Sequence, residues 1–170
     1  MDVLVVVDMQ KDFISGALGT KEAVAIVPRV AKKIAQAKKA GKTVVITRDT
    51  QHENYLQTQE GKNLPVPHCI ENTPGWEIDP ALDTTGARIF DKPSFGSEEL
   101  VQYLKGLDNL TSAEFVGLCT DICVITNVLS AKCALPELPI AVDSACCAGV
   151  TPESHENALA AMRMCQIRIL

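Results

Sequence analysis

Two cysteines stand four residues apart in "GLCTDICVIT", Gly117–Thr126, within a stretch that is otherwise nearly apolar. A cysteine can attack a carbonyl carbon if its thiol is activated and the resulting oxyanion is stabilised. The apolar β-branched text before Leu118 reads as a strand, and the text after Asp121 reads as a helix. Cys123 would then lie in the first helical turn, with Thr120 or Asp121 as cap. Unpaired N–H groups and the positive end of the helix dipole would favour a thiolate there. The same N–H groups could stabilise an oxyanion. A small buried hydrophobe is the competing reading of Cys123, and other residues must decide between the two. Asp8 follows the run "VLVVV" and could act as general base or orienting partner. Lys92, in "FDKPSF", offers a cation that could depress a neighbouring thiol pKa and hold Asp8 ionised.

These residues need a scaffold that brings them together. Val3–Asp8 is a short continuous apolar run, the pattern of a strand covered on both faces. Further strands are expected at Thr43–Asp49, Ala87–Lys92, Ala113–Leu118 and Pro139–Ala145, with a last one in "QIRIL" at the C-terminus. Between them, helices are expected over Pro28–Lys42, from Ser97 to about Leu104, over Asp121–Leu135, and from Thr151-Pro152 to about Cys165. Such alternation implies right-handed crossovers and a mostly parallel six-stranded sheet in a three-layer α/β/α, Rossmann-like fold. In such folds ligands bind beyond the carboxyl ends of the strands. The successive strands end on Asp8, Asp49 and Lys92, and the next leads into Cys119 and Cys123. The long segment Thr50–Gly86 shows little periodicity and holds His52, His68 and Trp76. We read it as a site-forming loop, with a short helix around Tyr55.

Composition removes whole classes of function. The 170 residues favour one domain spanning 1–170, and 46% hydrophobic residues suffice for a full core. Net charge is −5 and the lysines are dispersed, so the footprint of a nucleic-acid binder is missing. No stretch approaches the ~20 apolar residues that span a bilayer. "MDVLVVVDMQ" lacks the basic start of a secretory signal. Seven cysteines, an odd number without C-x-x-C, point to free thiols in a cytoplasmic setting. Neither a P-loop nor G-x-G-x-x-G follows any strand, which argues against a nucleotide-binding module. No organic cofactor is implied. The expected partners are a small-molecule substrate and further copies of the chain as a homo-oligomer, with neither nucleic acid nor membrane.

Taken together, "VVVDMQKDF", "FDKPSFGS" and "GLCTDICVITNVLSA" resemble the three catalytic segments of the isochorismatase-like cysteine hydrolases, the superfamily that contains nicotinamidases. The resemblance covers nearly the whole chain. It implies a sheet order of 3-2-1-4-5-6, with Asp8 as general base, Lys92 as its partner and Cys123 as nucleophile. On that order Lys92 starts farther out, so its loop must fold inward. A cis peptide at Leu118–Cys119 is also implied, making the Cys119 and Cys123 N–H groups the oxyanion hole. The implied reaction is hydrolysis of a small carboxamide through a thioester, with release of ammonia. Another small amide, an isochorismate-type vinyl ether, or a catalytically silent scaffold are the alternatives.

Nicotinamidases also hold a divalent metal, and the resemblance implies Asp49, His52 and His68 as ligands here, for Zn²⁺, Fe²⁺ or Mn²⁺. Gln51 stands two residues after Asp49, where the family has a histidine; His52 lies one residue later, and Glu60 could add a carboxylate. Phe13 matches an aromatic that packs against the substrate ring. The tryptophan usual before the His-Cys pair is absent from "NLPVPHC".

Overall fold

The computed structural model describes residues 1–170. Six strands form where the apolar runs lie: β1 (Asp2–Val7), β2 (Thr43–Asp49), β3 (Arg88–Lys92), β4 (Ser112–Leu118), β5 (Ile140–Ala148) and β6 (Arg168–Ile169). Their order is β3-β2-β1-β4-β5-β6, every neighbouring pair parallel. The helices are α1 (Lys11–Ile14), α2 (Lys21–Lys39), α3 (Gln59–Asn63), α4 (Glu98–Lys105), α5 (Ile125–Ala134) and α6 (Pro152–Met164).

Strand alternation explains why β1 is apolar from Val3 to Val7. Val3, Val5 and Val7 face Leu100 and Leu104 of α4, Val128 of α5, and Leu159 and Met162 of α6. Leu4 and Val6 face the opposite layer, with Ile26, Val30 and Ile34 of α2. Burying each such side chain contributes about 1.5–3 kcal/mol, so β1 is a rigid carrier for the residue at its end. That residue is Asp8. Beside it, Gly117 of β4 has φ of 120°, and a Cβ there would stand 2.1 Å from the Val7 carbonyl oxygen. Only glycine lets β4 approach β1 this closely just before Cys119.

Three expectations need adjustment. Helix α2 starts at Lys21 rather than Pro28, because the Thr20 side chain caps Ala23 N–H. Pro28 sits inside α2 on its exposed face, where the carbonyl it leaves unbonded can reach water. Strand β5 runs on to Ala148 past a register shift opposite Phe115 and Gly117, which lets it continue beyond the polar Asp143-Ser144 pair. The helix expected from Asp121 begins instead as a π turn, Thr120–Val124, which then runs into α5.

Candidate active site

Strands β1 and β4 are neighbours whose connections leave in opposite directions, so a crevice opens beyond their carboxyl ends. Asp8 enters it with φ of 46°. Its Oδ1 accepts a 2.7 Å hydrogen bond from Thr47 Oγ1. Lys92 Nζ lies 2.7 Å from its Oδ2, an oxygen that otherwise accepts no hydrogen bond. Lys92 is the last residue of β3, two strands away, and its side chain crosses the end of β2 to reach Asp8. Side-chain length does what the sequence reading assigned to an inward-folding loop. The same ammonium lies 3.3 Å from Asp49 Oδ1 and 3.5 Å from Cys123 Sγ, and donates to the Ser94 carbonyl at 2.8 Å. Both Asp8 and Lys92 side chains are wholly buried.

Cys123 rides on the π turn, whose backbone folds onto the Cys119 carbonyl: Ile122 N–H donates to it at 3.1 Å and Val124 N–H at 3.0 Å. Extra turns of this kind are frequent at functional sites. The expected cap is absent. Thr120 bonds His155 and Asp121 accepts from Val150 N–H, so neither side chain caps the turn. The Leu118–Cys119 peptide is cis, and Cys119 N–H donates to no acceptor in the chain.

The electrostatics overturn one expectation. Complete burial, then the Asp8 carboxylate, push the Cys123 thiol well above its ordinary value, and the Lys92 cation does not compensate. The ammonium is already engaged by two carboxylates. Its own pKa is raised, because the Asp8 and Asp49 carboxylates outweigh the burial that opposes charging. Burial and the neighbouring carboxylates thus favour the protonated thiol of Cys123 over the thiolate.

The Thr50–Gly86 segment wraps this crevice and is pinned at both ends. Gln51 pairs with Ile70, Gln10 with Ile78, and the Asp12 carboxylate accepts from Cys69 N–H at 2.8 Å. A 3₁₀ turn at Tyr55–Gln57 and the short α3 stand where a helix was expected. His68 is buried, tilted against Phe13 and edge-on to Tyr55. Its Nδ1 donates to the Val66 carbonyl at 2.8 Å, and Nε2 then faces Glu60 Oε1 at 3.5 Å and Asp49 Oδ2 at 3.7 Å. His52 does not join them. It is exposed and lies 3.5 Å from Glu71, because the chain turns outward one residue after Gln51. Glu60, not His52, is the residue that comes up beside His68 and Asp49.

Two carboxylates and one imidazole are donors suited to a borderline divalent ion. The distances from His68 Nε2 to the two carboxylates are close to the ~3.4 Å edge expected of a tetrahedral shell with ~2.1 Å bonds. The shell is not closed, since no three His, Cys, Asp or Glu side chains are gathered as a formed metal site. Gln51 Nε2 bridges the gap, 3.2 Å from Asp49 Oδ2 and 3.5 Å from Glu60 Oε2. Burial, together with the Asp8 and Glu60 carboxylates, raises Asp49 to about 6 against the opposing Lys92.

Between triad and loop lies a cavity of about 180 Å³, with Cys119, Cys123, Asp49, Glu60 and His68 on one side and Phe13, Leu18, Leu64, Phe95 and Ile122 forming apolar walls. It is smaller than the pockets that hold drug-sized ligands. Two contributors escaped the sequence reading. Thr47 follows Val45 and precedes Asp49 on one face of β2, an alternation that could have marked it. Gln10 locks Asp49 by accepting from its N–H at 2.7 Å and donating to its carbonyl at 2.8 Å, and nothing in the local pattern signals that.

Comparison with known proteins agrees with this geometry. The chain is 27% identical over 207 residues to a nicotinamidase of Schizosaccharomyces pombe, covering 98% of this chain and 91% of that protein. It is also 27% identical over 189 residues to a nicotinamidase/pyrazinamidase of Mycobacterium tuberculosis, covering 100% and 98%. The structure of the pyrazinamidase of Pyrococcus horikoshii in complex with zinc superposes with a TM-score of 0.87 at 32% identity, over 99% of this chain and 98% of that one. Residues 2–169 match the model of the isochorismatase domain, and over that span the chain belongs to the isochorismatase family.

Proposed function

We propose that this chain, acting as one domain over residues 1–170, hydrolyses the C–N bond of a small ring carboxamide such as nicotinamide and releases ammonia. The observation that carries this reading is the meeting of Asp8, Lys92 and Cys123 within 2.7–3.5 Å of the Lys92 ammonium, at the floor of a small apolar cavity. The similarity to nicotinamidases supports the same chemistry.

The resting thiol dictates the order of events. As Cys123 Sγ attacks the carbonyl carbon, its proton passes to Asp8 Oδ2, the oxygen that Thr47 leaves free. Lys92 stays charged and holds that carboxylate in place. The Cys119 and Cys123 N–H groups receive the oxyanion. Collapse breaks the C–N bond, the proton returns from Asp8 to nitrogen, and ammonia leaves a thioester on Cys123. Asp8 then takes a proton from water, hydroxide attacks the thioester, and the carboxylic acid departs as the thiol re-forms. Phe13 and Leu64 flank the ring and exclude water.

Asp49, Glu60 and His68 are the side chains that would hold a divalent ion, Zn²⁺, Fe²⁺ or Mn²⁺, with His52 outside the set. Such an ion, when bound, supplies a Lewis-acid anchor for a substrate lone pair. All seven cysteines are free, which suits the cytoplasm, and no helix is long and apolar enough to cross a membrane. The assembly proposed is a homo-oligomer, its mass to be read by light scattering.

Ammonia release from nicotinamide, pyrazinamide and short aliphatic amides tests the reading. Cys123→Ala should abolish turnover, while Cys119→Ala, which keeps the backbone N–H, should stay within a few-fold of the parent. Silence of the parent on every amide, or an active Cys123→Ala protein, would defeat it.

A further inference from the structure

The turn that follows Cys119 and carries Cys123 is held from behind by side-chain bonds to α6 and to the β5–α6 connection. Thr120, wholly buried, shares a 2.7 Å hydrogen bond with Nδ1 of His155 in α6. Asp121 accepts from Val150 N–H with both oxygens, each at 3.2 Å. No other residue outside the turn and α5 supplies a side-chain hydrogen bond to positions 120–122. Thr120 lies directly between the Cys119 peptide and the rest of the turn, so its orientation sets the direction of the N–H groups on either side.

His155 is itself held in place. Gly149 packs so tightly on it that an added Cβ would stand 2.9 Å from His155 N and 3.0 Å from its Cα. Any side chain at position 149 must push α6 away and take the imidazole with it. His155 also borders a second cleft between α2 and α6, beside Glu22, Arg29 and Glu156, on the far side of the turn from the substrate cavity. It cannot touch a substrate bound at Cys123, because it does not line that cavity.

We infer that His155 is a positioning residue for the reaction. Through Nδ1 and the Thr120 hydroxyl it fixes the backbone of the turn so that the Cys119 and Cys123 N–H groups aim at the oxyanion. The inference rests on the amidase reading given above. Its energetic basis is that these donors matter only as charge develops, so loosening them affects the transition state rather than the bound amide. Misplacement by a fraction of an ångström to an ångström costs about ten- to a hundredfold in rate.

The test is steady-state kinetics with nicotinamide on five variants, each checked for an unchanged melting profile. His155→Ala should lower kcat by about tenfold or more with KM little changed. His155→Asn places its amide near the position of Nδ1 and should recover most of the rate, whereas His155→Gln, which mimics Nε2, should not. Thr120→Val should fall as far as His155→Ala, and the double variant no further, because both break one bond. A loss expressed in KM, equal losses for Asn and Gln, or additive losses in the double variant would each overturn the inference. An active parent with an unaffected His155→Ala protein defeats this inference alone. A parent inactive on all amides defeats the amidase reading and this inference with it.

Discussion

Replacing Lys92 with methionine tests the electrostatic arrangement most directly. Methionine keeps the length of the stem and removes only the cation. The ammonium is wholly buried and stands 2.7 Å from Asp8 and 3.3 Å from Asp49, so the substitution leaves two buried carboxylates without their counter-ion. Breaking a buried pair in this way costs about 3–5 kcal/mol. For a chain of this size that corresponds to a fall in Tm of about 6–20 °C. The thiol responds too. Lys92 is the one group among its neighbours that lowers the Cys123 pKa, against burial and the carboxylates of Asp8 and Asp49. Its loss should raise that pKa further. Thermal unfolding followed by circular dichroism gives the first quantity. Alkylation of Cys123 against pH, read by mass spectrometry of its peptide, gives the second. A Tm within about 2 °C of the parent would refute the view that Lys92 is the counter-ion of a buried acidic pair. An unmoved alkylation profile would refute its influence on the thiol.

Three other outcomes follow from the same structure. Soaking the protein in zinc and measuring bound metal should show retention in His52→Ala and loss in His68→Ala, since only His68 faces Asp49 and Glu60; equal retention in both would remove His68 from the ligand set. Stability should decline as pH rises above about 8.5, because the buried Cys123 and Cys147 thiols have raised values and keep protons that the unfolded chain releases, each contributing about 1.4 kcal/mol per pH unit; a flat Tm between pH 7.5 and 9.5 would contradict this. Gly117→Ala should fail to accumulate as folded protein, since its Cβ would collide with the Val7 carbonyl at a φ of 120°, and a soluble variant with the parent's Tm would show that β4 can move away from β1.

The parts of this architecture that were legible in sequence are those set by burial. Strand β1 is covered on both faces from Val3 to Val7 and therefore apolar there, so the strand could be read to within one residue at each end, with Asp8 just beyond it. Helix α2 was misplaced because Pro28 resembles a helix start, while the actual start depends on the hydroxyl of Thr20, well ahead of the helix's exposed proline and a turn ahead of its first buried stripe. The place of His52 was misread for a related reason. Position along the chain made His52 the substitute for the missing histidine, but a loop whose path is fixed by Gln10, Asp12 and Tyr55 turns His52 outward and brings Glu60 in. No local pattern encodes those tertiary bonds.

The largest gap between sequence and structure lies in the charge state of the nucleophile, and it changes how the site works. A cysteine at a helix start beside a lysine suggests a stabilised thiolate, yet each of these supports is weakened in three dimensions. The helix starts as a π turn without a side-chain cap, and the lysine is shared between two carboxylates before it meets the sulfur. A thiolate formed at rest would add a third negative charge to a buried cluster holding one cation. Keeping the proton on sulfur until a carbonyl arrives avoids that cost, because the charge then passes onto the substrate oxygen as it leaves the thiol. Asp8 fits the task of receiving that proton: Thr47 fixes one of its oxygens, Lys92 lies beside the other, and rigid β1 holds both within reach of Cys123. The cluster is organised to move a proton during attack rather than to store a charge before it.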